Sequence, residues 1–314
     1  MNRKFLITGG TGNLGRRLAS ELVTSGAGVV LFDNVEANIA GAEIVVGDIT
    51  SQNDVDAAMR IHAPDCVFHL ASLLSGSSEV DRELAWRVNV DGARVALESA
   101  LAHGVSRIVF PSSLAAFGRC QSKPVRHETA QWPTTFYGVT KVAAERLGLY
   151  YHEQHGLDFR CVRLPVVVSP DAPAGAASNY ASRAFVDAAE TGRFAFRVRP
   201  DTRPSLVYVR DAVQAMVQLA TAHRSSLSRQ IYNIQALSPK AKDLAEVVRK
   251  RFPHAAISFE PDPEIADMIE SWPIEFDDAS ARNDWSWRPE FDLDSMADDI
   301  VQQLQPTFAN LQTG

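Results

Sequence analysis

The first half of the chain alternates short apolar runs with longer stretches in which apolar residues recur every three or four positions. The short runs predict six β-strands, at Lys4–Thr8, Gly28–Phe32, Glu43–Val46, Cys66–Leu70, Arg107–Pro111 and Phe159–Leu164. The stretches between them predict helices near residues 13–25, 53–61, 80–103 and 137–155. Because strands that alternate with helices form a parallel sheet covered on both faces, the pattern predicts a doubly wound α/β fold.

The second half follows a different pattern, interrupted by Pro165, Pro170 and Pro173. It predicts helices over Asn179–Thr191, Arg210–Ala222 and near 239–252, and strands over Leu206–Val209, Gln230–Ile234 and Ala256–Glu260, before a tail rich in proline and tryptophan. We therefore expect a sheet domain over residues 1–165, to which residues from about 205 to 235 return. A smaller C-terminal α/β lobe is expected over 166–204 and 236–314.

Composition and charge exclude several classes of protein. Of the 314 residues, 46% are hydrophobic and 22% are charged, which is ordinary for a globular protein and unlike a disordered one. The chain has 31 Lys and Arg against 38 Asp and Glu. Its net charge of −7 therefore argues against nucleic acid or an anionic membrane surface as the main partner.

The sequence also suggests a compartment. Cys66, Cys120 and Cys161 are far apart and indicate neither a disulfide framework nor a metal site, and no histidines stand at metal-ligand spacing. No apolar run approaches the roughly 18 residues that a membrane helix needs. The run Phe5-Leu6-Ile7 is too short for the apolar core of a signal peptide. We expect a cytoplasmic protein without a metal or a membrane partner.

A glycine-rich turn follows the first predicted strand and opens the first predicted helix, with the sequence Thr8-Gly9-Gly10-Thr11-Gly12-Asn13-Leu14-Gly15. In this setting Gly9 permits a tight turn, Gly12 permits close approach of the backbone to a phosphate, and Gly15 permits close packing of helix on strand. The turn and the helix N-terminus, including Asn13 and Leu14, predict a site for the pyrophosphate of a dinucleotide.

Asp33 closes the second predicted strand, 18 positions beyond Gly15. A carboxylate there can accept hydrogen bonds from both hydroxyls of the adenosine ribose and would repel a 2′-phosphate, which favours NAD over NADP. Further cofactor contacts are expected where other strands end, at Asp48, Ile49, Leu70, Ala71 and Leu164.

Tyr137 and Lys141 stand four positions apart at the start of a predicted helix, with Ser113 at the end of the strand before it. Residues at this spacing share one helix face. A nearby ammonium group favours the phenolate and lowers the pKa of a tyrosine, which makes it a better base. On its own this spacing is typical of a solvated helix face. Together with the strand pattern and Ser113 it predicts a proton-transfer site, in which Lys141 also holds the nicotinamide ribose.

These motifs, taken with His69-Leu70-Ala71 and Asn89, resemble the extended short-chain dehydrogenase/reductases. The resemblance implies a Rossmann sheet, catalysis by Ser113, Tyr137 and Lys141, and a structural role for Asn89 in supporting the backbone of the active site. It also implies a homodimer that buries the helices near 80–103 and 137–155.

A narrower resemblance, to the short-chain type of L-threonine 3-dehydrogenase, extends over almost the whole chain. It rests on Phe68-His69-Leu70-Ala71-Ser72-Leu73-Leu74-Ser75, Pro111-Ser112-Ser113-Leu114-Ala115-Ala116-Phe117-Gly118, Ile269-Glu270-Ser271-Trp272-Pro273 and Asp284-Trp285-Ser286-Trp287. It implies that NAD⁺ accepts a hydride from the 3-hydroxyl carbon of threonine, giving 2-amino-3-ketobutyrate. The C-terminal lobe would bind the substrate, and the implied substrate contacts are Ser75, Ser113, Tyr137, Ser178, Asn179 and Trp272.

The chain departs from that family at two places. Ala177-Ser178-Asn179-Tyr180 stands where the family has Thr-Thr-Asp-Tyr, after a diluted glycine run at Ala174-Gly175-Ala176. Pro200-Asp201-Thr202-Arg203 is more similar to the erythronate-type dehydrogenases of four-carbon sugar acids. Arg203 is either a clamp for a substrate carboxylate or a surface arginine, and Trp272 either closes over the substrate or packs in the lobe's core. The sequence leaves threonine and a sugar acid open as substrates.

Two other functions fit the sequence less well. A nucleotide-sugar epimerase or dehydratase would need positive charge to grip a diphosphate, and Arg183, Arg193, Arg197 and Arg199 form no recognisable arrangement for one. A non-catalytic sensor of NAD would not need a proton-transfer residue. The sequence favours a dehydrogenase over both.

Overall fold

The computed structural model describes residues 3–120, 123–172 and 177–311. The strands are β1 (Lys4–Thr8), β2 (Gly28–Asp33), β3 (Glu43–Val46), β4 (Cys66–His69), β5 (Arg107–Ser113), β6 (Asp158–Leu164), β7 (Val166–Val168), β8 (Arg193–Phe196), β9 (Leu206–Tyr208), β10 (Ile231–Asn233) and β11 (Ala256–Phe259). The helices are α1 (Asn13–Thr24), α2 (Gln52–His62), α3 (Ser75–Val80), α4 (Arg82–Trp86), α5 (Gly92–Ala102), α6 (Phe136–His155), α7 (Tyr180–Thr191), α8 (Val209–Thr221), α9 (Ala241–Arg251), α10 (Pro263–Glu270), α11 (Ala279–Trp285) and α12 (Leu293–Leu311).

Seven parallel strands form the central sheet, in the order β10-β6-β5-β4-β1-β2-β3. Successive side chains of a strand point to opposite faces, so the two faces of β1 have different neighbours. Phe5 and Ile7 belong to the apolar core that includes residues of α1 and α8, whereas Leu6 belongs to the core with residues of α2, α5 and α6. The predicted doubly wound α/β fold is confirmed.

The predicted helix over 80–103 is wrong as a single element. The Asp81 side chain accepts a hydrogen bond from Leu84 N at 2.9 Å and starts a new helix, α4, after α3 has ended. A π-helical turn over Arg87–Asp91 then separates α4 from α5. This turn carries Asn89, which is buried and bonds both backbone groups of Leu73, at 2.7 and 3.1 Å.

The second half builds its own core. β7 pairs with β9 and β8 pairs with β11, each as a separate two-stranded sheet, while β10 pairs with β6 in the central sheet. Residues of α7, α9 and α12 share a third apolar cluster that includes Phe185, Leu244 and Ile300. This separate core supports the predicted division into two lobes, which stays a prediction.

The C-terminal tail, which is rich in proline and tryptophan, contains α10, α11 and α12. Pro263 stands in the first turn of α10 rather than breaking it. Trp285 and Trp287 are buried in the core that also covers one face of β1. In the part of the chain that is described, no helix is both long and apolar enough to cross a membrane.

Candidate active site

The carboxyl ends of β1 to β6 open on a cleft of about 1170 Å³, the place where doubly wound sheets bind ligands. Every residue predicted to contact the cofactor lines this cleft. These residues are Gly9, Gly12, Asn13, Leu14, Gly15, Asp33, Asp48, Ile49, Leu70, Ala71, Tyr137, Lys141 and Leu164.

The glycine turn after β1 has the shape that a pyrophosphate needs. Gly9 has φ of +66°, and a Cβ there would lie 2.7 Å from Ala71 N. A Cβ on Gly15 would lie 2.5 Å from the carbonyl oxygen of Gly9, so α1 packs directly on the turn. Gly12 is the N-cap of α1, and no side chain caps the helix. The backbone N–H groups of such a first turn suit a phosphate anion, so the turn fits a dinucleotide.

Asp33 is held in position by the same turn. Its Oδ2 accepts hydrogen bonds from Thr11 N at 2.9 Å and from Thr11 Oγ1 at 2.8 Å. Asp48 also lines this part of the cleft, and Lys141 is the one Lys or Arg among the described lining residues. A 2′-phosphate would therefore meet carboxylates rather than a cation, which fits NAD.

We expect Asp33→Ser to weaken NAD⁺ binding by roughly 10- to 100-fold, because hydrogen bonds to a charged group contribute about 1.5–3 kcal/mol. Removal of the negative charge should also narrow the preference for NAD⁺ over NADP⁺. Titration of both cofactors against the purified variant measures the two constants. Asp65→Asn is the matched control, since Asp65 contacts the start of β1 at the opposite end of the sheet. An unchanged ratio of the two constants would show that Asp33 does not select the cofactor.

The close approach of α6 to the end of β5 brings Tyr137 and Ser113 to the same wall of the cleft. A Cβ on Gly138 would lie 2.4 Å from the carbonyl oxygen of Ala115, so this approach requires glycine. The Thr135 hydroxyl caps α6 by accepting a hydrogen bond from Gly138 N at 3.1 Å. The helix therefore begins at the cleft, and Tyr137 stands in its first turn.

Lys141 lies one helical turn beyond Tyr137 and is only 4% exposed. Its Nζ donates to the Pro111 carbonyl oxygen at 3.1 Å and lies 5.3 Å from the centre of the Tyr137 ring. Burial lowers the pKa of Lys141 to about 8, and the neighbouring Cys161 and the Glu145 carboxylate oppose this shift. The side chain is therefore mostly an ammonium at neutral pH and loses its proton as the pH rises through about 8.

Burial raises the pKa of Tyr137 well above its ordinary value, and a hydrogen bond with Ser113 works in the opposite direction. The phenolate that could accept a substrate proton therefore depends on favourable neighbours. The ammonium of Lys141, 5.3 Å from the centre of the ring, is a positive charge placed to favour it.

The comparisons with known proteins agree with this geometry. A family model described as "NAD dependent epimerase/dehydratase family" matches residues 5–234. The chain belongs to this family. The resemblance indicated by the motifs is confirmed, and so is NAD as the cofactor.

Particular members are similar over nearly the whole chain. The chain is 36% identical to the mitochondrial L-threonine 3-dehydrogenase of Bos taurus over 298 residues, which are 93% of this chain and 80% of that protein. It is 31% identical to a solved L-threonine dehydrogenase from Clostridium difficile, with a TM-score of 0.91 and 98% of both chains covered. A monomeric L-threonine 3-dehydrogenase from a metagenome is 29% identical, with a TM-score of 0.88 and coverage of 96% of this chain and 99% of that one.

The lining of the cleft also has many hydroxyl groups. The residues that the resemblance assigns to the substrate lie on this lining, namely Ser75, Ser113, Tyr137, Ser178, Asn179 and Trp272. The lining also includes Ser77 and Thr134, which were not among the predicted site residues. Ser77 lies two positions after Ser75 in α3, the first helix after β4, and its closeness to Ser75 was the signal that could have identified it.

Arg203 is not brought to the cleft. Its side chain is exposed, and its Nε donates to the Ser238 carbonyl oxygen at 3.1 Å. This position fits the alternative of a surface arginine, because the loop turns Arg203 toward α9 and away from the described cleft lining, and a role as a carboxylate clamp stays a prediction. The residues Ala174-Gly175-Ala176 lie outside the described part of the chain.

His69 is a further neighbour of the site. Its sequence position marked it only as part of the His69-Leu70-Ala71 motif. It is buried at the end of β4, and its Nδ1 lies 2.9 Å from the Thr8 hydroxyl oxygen. Burial, together with the charge of Lys141, lowers the pKa of His69 to about 3, so the ring is neutral. Across the described ranges, no three His, Cys, Asp or Glu side chains are grouped so that they could hold a metal ion.

Proposed function

We propose that this protein oxidises the 3-hydroxyl of L-threonine to 2-amino-3-ketobutyrate with NAD⁺ as the hydride acceptor. The observation that carries the proposal is the cleft itself, whose lining combines Ser113, Tyr137 and Lys141 with the glycine turn and a group of hydroxyl side chains. Similarity to proteins named L-threonine 3-dehydrogenase supports the choice of substrate.

The chain's own residues perform the proton chemistry. Ser113 orients the substrate hydroxyl, and the Tyr137 phenolate oxygen takes its proton. The Lys141 ammonium favours that phenolate and holds the nicotinamide ribose. Bound NAD⁺ supplies the hydride acceptor. The glycine turn and Asp33 hold the pyrophosphate and the adenosine ribose.

Two alternatives are not favoured. An erythronate-type substrate was expected to use Arg203, which lies outside the cleft lining. A nucleotide sugar needs positive charge near its diphosphate. Yet Arg197 and Arg199 are in ion pairs with Asp262, Asp267 and Glu270, outside that lining.

A substrate panel tests the choice. We expect NADH to form from L-threonine and NAD⁺, at a rate far above that with D-threonine, D-erythronate or L-threonate under the same conditions. The absorbance of NADH follows each reaction. The proposal of a threonine dehydrogenase would be abandoned if a sugar acid were the better substrate.

We also propose a homodimer in the cytoplasm. Large apolar side chains are exposed on the helices that the resemblance places in the dimer interface, namely Trp86 on α4, Leu101 on α5, and Val139 and Tyr150 on α6, which supports a partner against these helices. The free cysteines Cys66, Cys120 and Cys161 are compatible with a reducing compartment. Sedimentation equilibrium measures the mass in solution, and a monomer at all concentrations would contradict the dimer.

A further inference from the structure

A buried ion pair lies behind the catalytic residues and has no part in the mechanism described so far. Glu145 on α6 and Arg163 on β6 are both buried, with exposures of 0% and 3%. The guanidinium donates two hydrogen bonds to the carboxylate, from Nε to Oε1 at 2.9 Å and from Nη2 to Oε2 at 2.8 Å. This is a bidentate pair, the geometry that fixes two groups most firmly.

Two neutral donors complete the shell of the Glu145 carboxylate. The Ser112 hydroxyl donates to Oε1 at 2.5 Å, and the Gln131 amide donates to Oε2 at 2.8 Å. Burial works to raise the pKa of Glu145, but the hydrogen bonds and the charge of Arg163 outweigh it, so the pKa lies below its ordinary value. The group is therefore a permanent negative charge inside the protein.

The contacts of Glu145 connect the elements that build the active site. Glu145 follows Lys141 by one helical turn, as Lys141 follows Tyr137, so all three lie along one stripe of α6. Ser112 directly precedes the catalytic Ser113, and Arg163 directly precedes Leu164 of the cleft lining. The network therefore fixes α6 against the ends of β5 and β6 at the level of the catalytic residues.

Stability alone does not explain such a pair. The cost of moving two charges out of water can match or exceed what their attraction returns, and apolar residues of similar volume often serve the fold equally well. The site next to it does have a use for a negative charge, because Lys141 is a buried cation whose pKa the Glu145 carboxylate raises against the effect of burial.

Several titratable and charged groups face this region. They are Tyr137 and Lys141 on α6, Cys161 and Arg163 on β6, His69 on β4, and His127 in the loop before α6, which has Arg229 as its own neighbour. His69 is neutral and burial raises the pKa of the Cys161 thiol, so Glu145 and Arg163 are the permanent charges next to the Tyr137–Lys141 dyad.

We propose that Glu145 and Arg163 are positioning residues that hold Lys141 beside Tyr137 and keep its ammonium charged over the working pH range. This inference rests on the proposed function, since it assigns the pair a role in the same proton transfer. Glu145 supplies the negative charge. Arg163 holds the Glu145 carboxylate against β6 and supplies its counter-charge.

The first test is Glu145→Gln, which keeps the shape and removes the charge. Without this charge both Lys141 and Tyr137 should lose their protons more easily. We expect the acid and basic limbs of the kcat/KM profile to move together to lower pH by about one pH unit, and kcat at the parent's optimum to fall about tenfold. Glu98→Gln is the matched control. Glu98 is also a helical glutamate that bonds a tyrosine and an arginine, Tyr151 and Arg94, but it lies outside the cleft lining.

The opposite variant, Arg163→Gln, leaves the carboxylate without its counter-charge and should move both limbs to higher pH. Either variant tests the proposal by itself if it folds, because each has its own expected direction of shift in the pH profile. Together the two variants should shift the profile in opposite directions. A merely structural pair would lower kcat in both variants without moving the limbs, and that result would overturn the proposal.

A second readout needs no substrate. The ultraviolet absorbance of ionised tyrosine is followed with pH for each protein and for its Tyr137→Phe counterpart, and the difference reports the ionisation of Tyr137. Tyr137 should ionise at lower pH in Glu145→Gln and at higher pH in Arg163→Gln. An unmoved Tyr137 would contradict the positioning role even if L-threonine proved not to be the substrate, so this failure is distinct from failure of the proposed function.

Discussion

Replacement of Tyr137 by phenylalanine is expected to lower the turnover of L-threonine by roughly 10²- to 10⁴-fold, the usual contribution of a positioned acid–base group. The substitution removes one oxygen from the wall of the cleft and leaves the ring that lies 5.3 Å from Lys141 Nζ. The glycine turn and Asp33 are untouched, so NAD⁺ should bind nearly as before. Initial rates of NADH formation and a cofactor titration measure the two effects separately.

Tyr151→Phe is the matched control, because Tyr151 is on the same helix and its hydroxyl donates to Glu98 rather than toward the cleft. We expect this control to keep its turnover. If Tyr137→Phe turned over L-threonine at the parent's rate, Tyr137 would not be the proton acceptor.

The second large effect is expected from Gly15→Ala. The added Cβ would lie 2.5 Å from the Gly9 carbonyl oxygen and 2.7 Å from that of Gly10, which are backbone atoms that no side-chain rotation can move. The start of α1 must then shift away from the turn that binds the pyrophosphate. We expect the dissociation constant for NAD⁺ to rise at least tenfold, or about 1.4 kcal/mol, as measured by calorimetry.

Gly28→Ala gives the comparison for the same chemical change. A Cβ on Gly28 would meet its nearest neighbour, the Lys4 side chain, at 3.6 Å, an ordinary contact at the start of β2. Its affinity for NAD⁺ should stay that of the parent. Equal affinities in the two variants would mean that the turn does not need glycine at position 15.

The central sheet was predictable because most of its strands are buried on both faces, the edge strand β3 being the exception. Such strands appear as continuous apolar runs, and runs like Gly28–Phe32 and Arg107–Pro111 differ from the observed strands only at their ends. The break in the helix near 80–103 was not predictable from periodicity. It depends on the Asp81 cap, which is a local contact with Leu84. It also depends on the contacts of Asn89 with Leu73, which join residues distant in the chain.

The C-terminal helices were missed for a related reason. No helix was predicted after Glu260, where the chain is rich in proline and tryptophan, but Pro263 begins α10. Trp285 and Trp287 are buried in a core to which both halves of the chain contribute. The short strands β7 and β8 were missed as well. Each pairs with one other strand in a two-stranded sheet. Its extended conformation therefore depends more on that partner than on its own pattern of apolar residues.

The cleft was easier to predict than its surroundings. Residues that directly follow a strand must lie at the carboxyl edge of the sheet, which places Asp33 and Ser113 by sequence alone. Arg203 stands in a loop whose path depends on Ser238 and α9, and sequence cannot supply that path. The pairing of Glu145 with Arg163 was also hidden, because the two are 18 positions apart and buried only by tertiary structure.

The most direct measurement uses L-threonine that carries deuterium on C3, with NAD⁺ and the purified protein. The proposed chemistry requires the deuterium to appear in the NADH that forms, together with 2-amino-3-ketobutyrate, as read by mass spectrometry. The same reaction with Tyr137→Phe should give little of either product. NADH without deuterium, or no NADH at saturating L-threonine, would contradict the central claim.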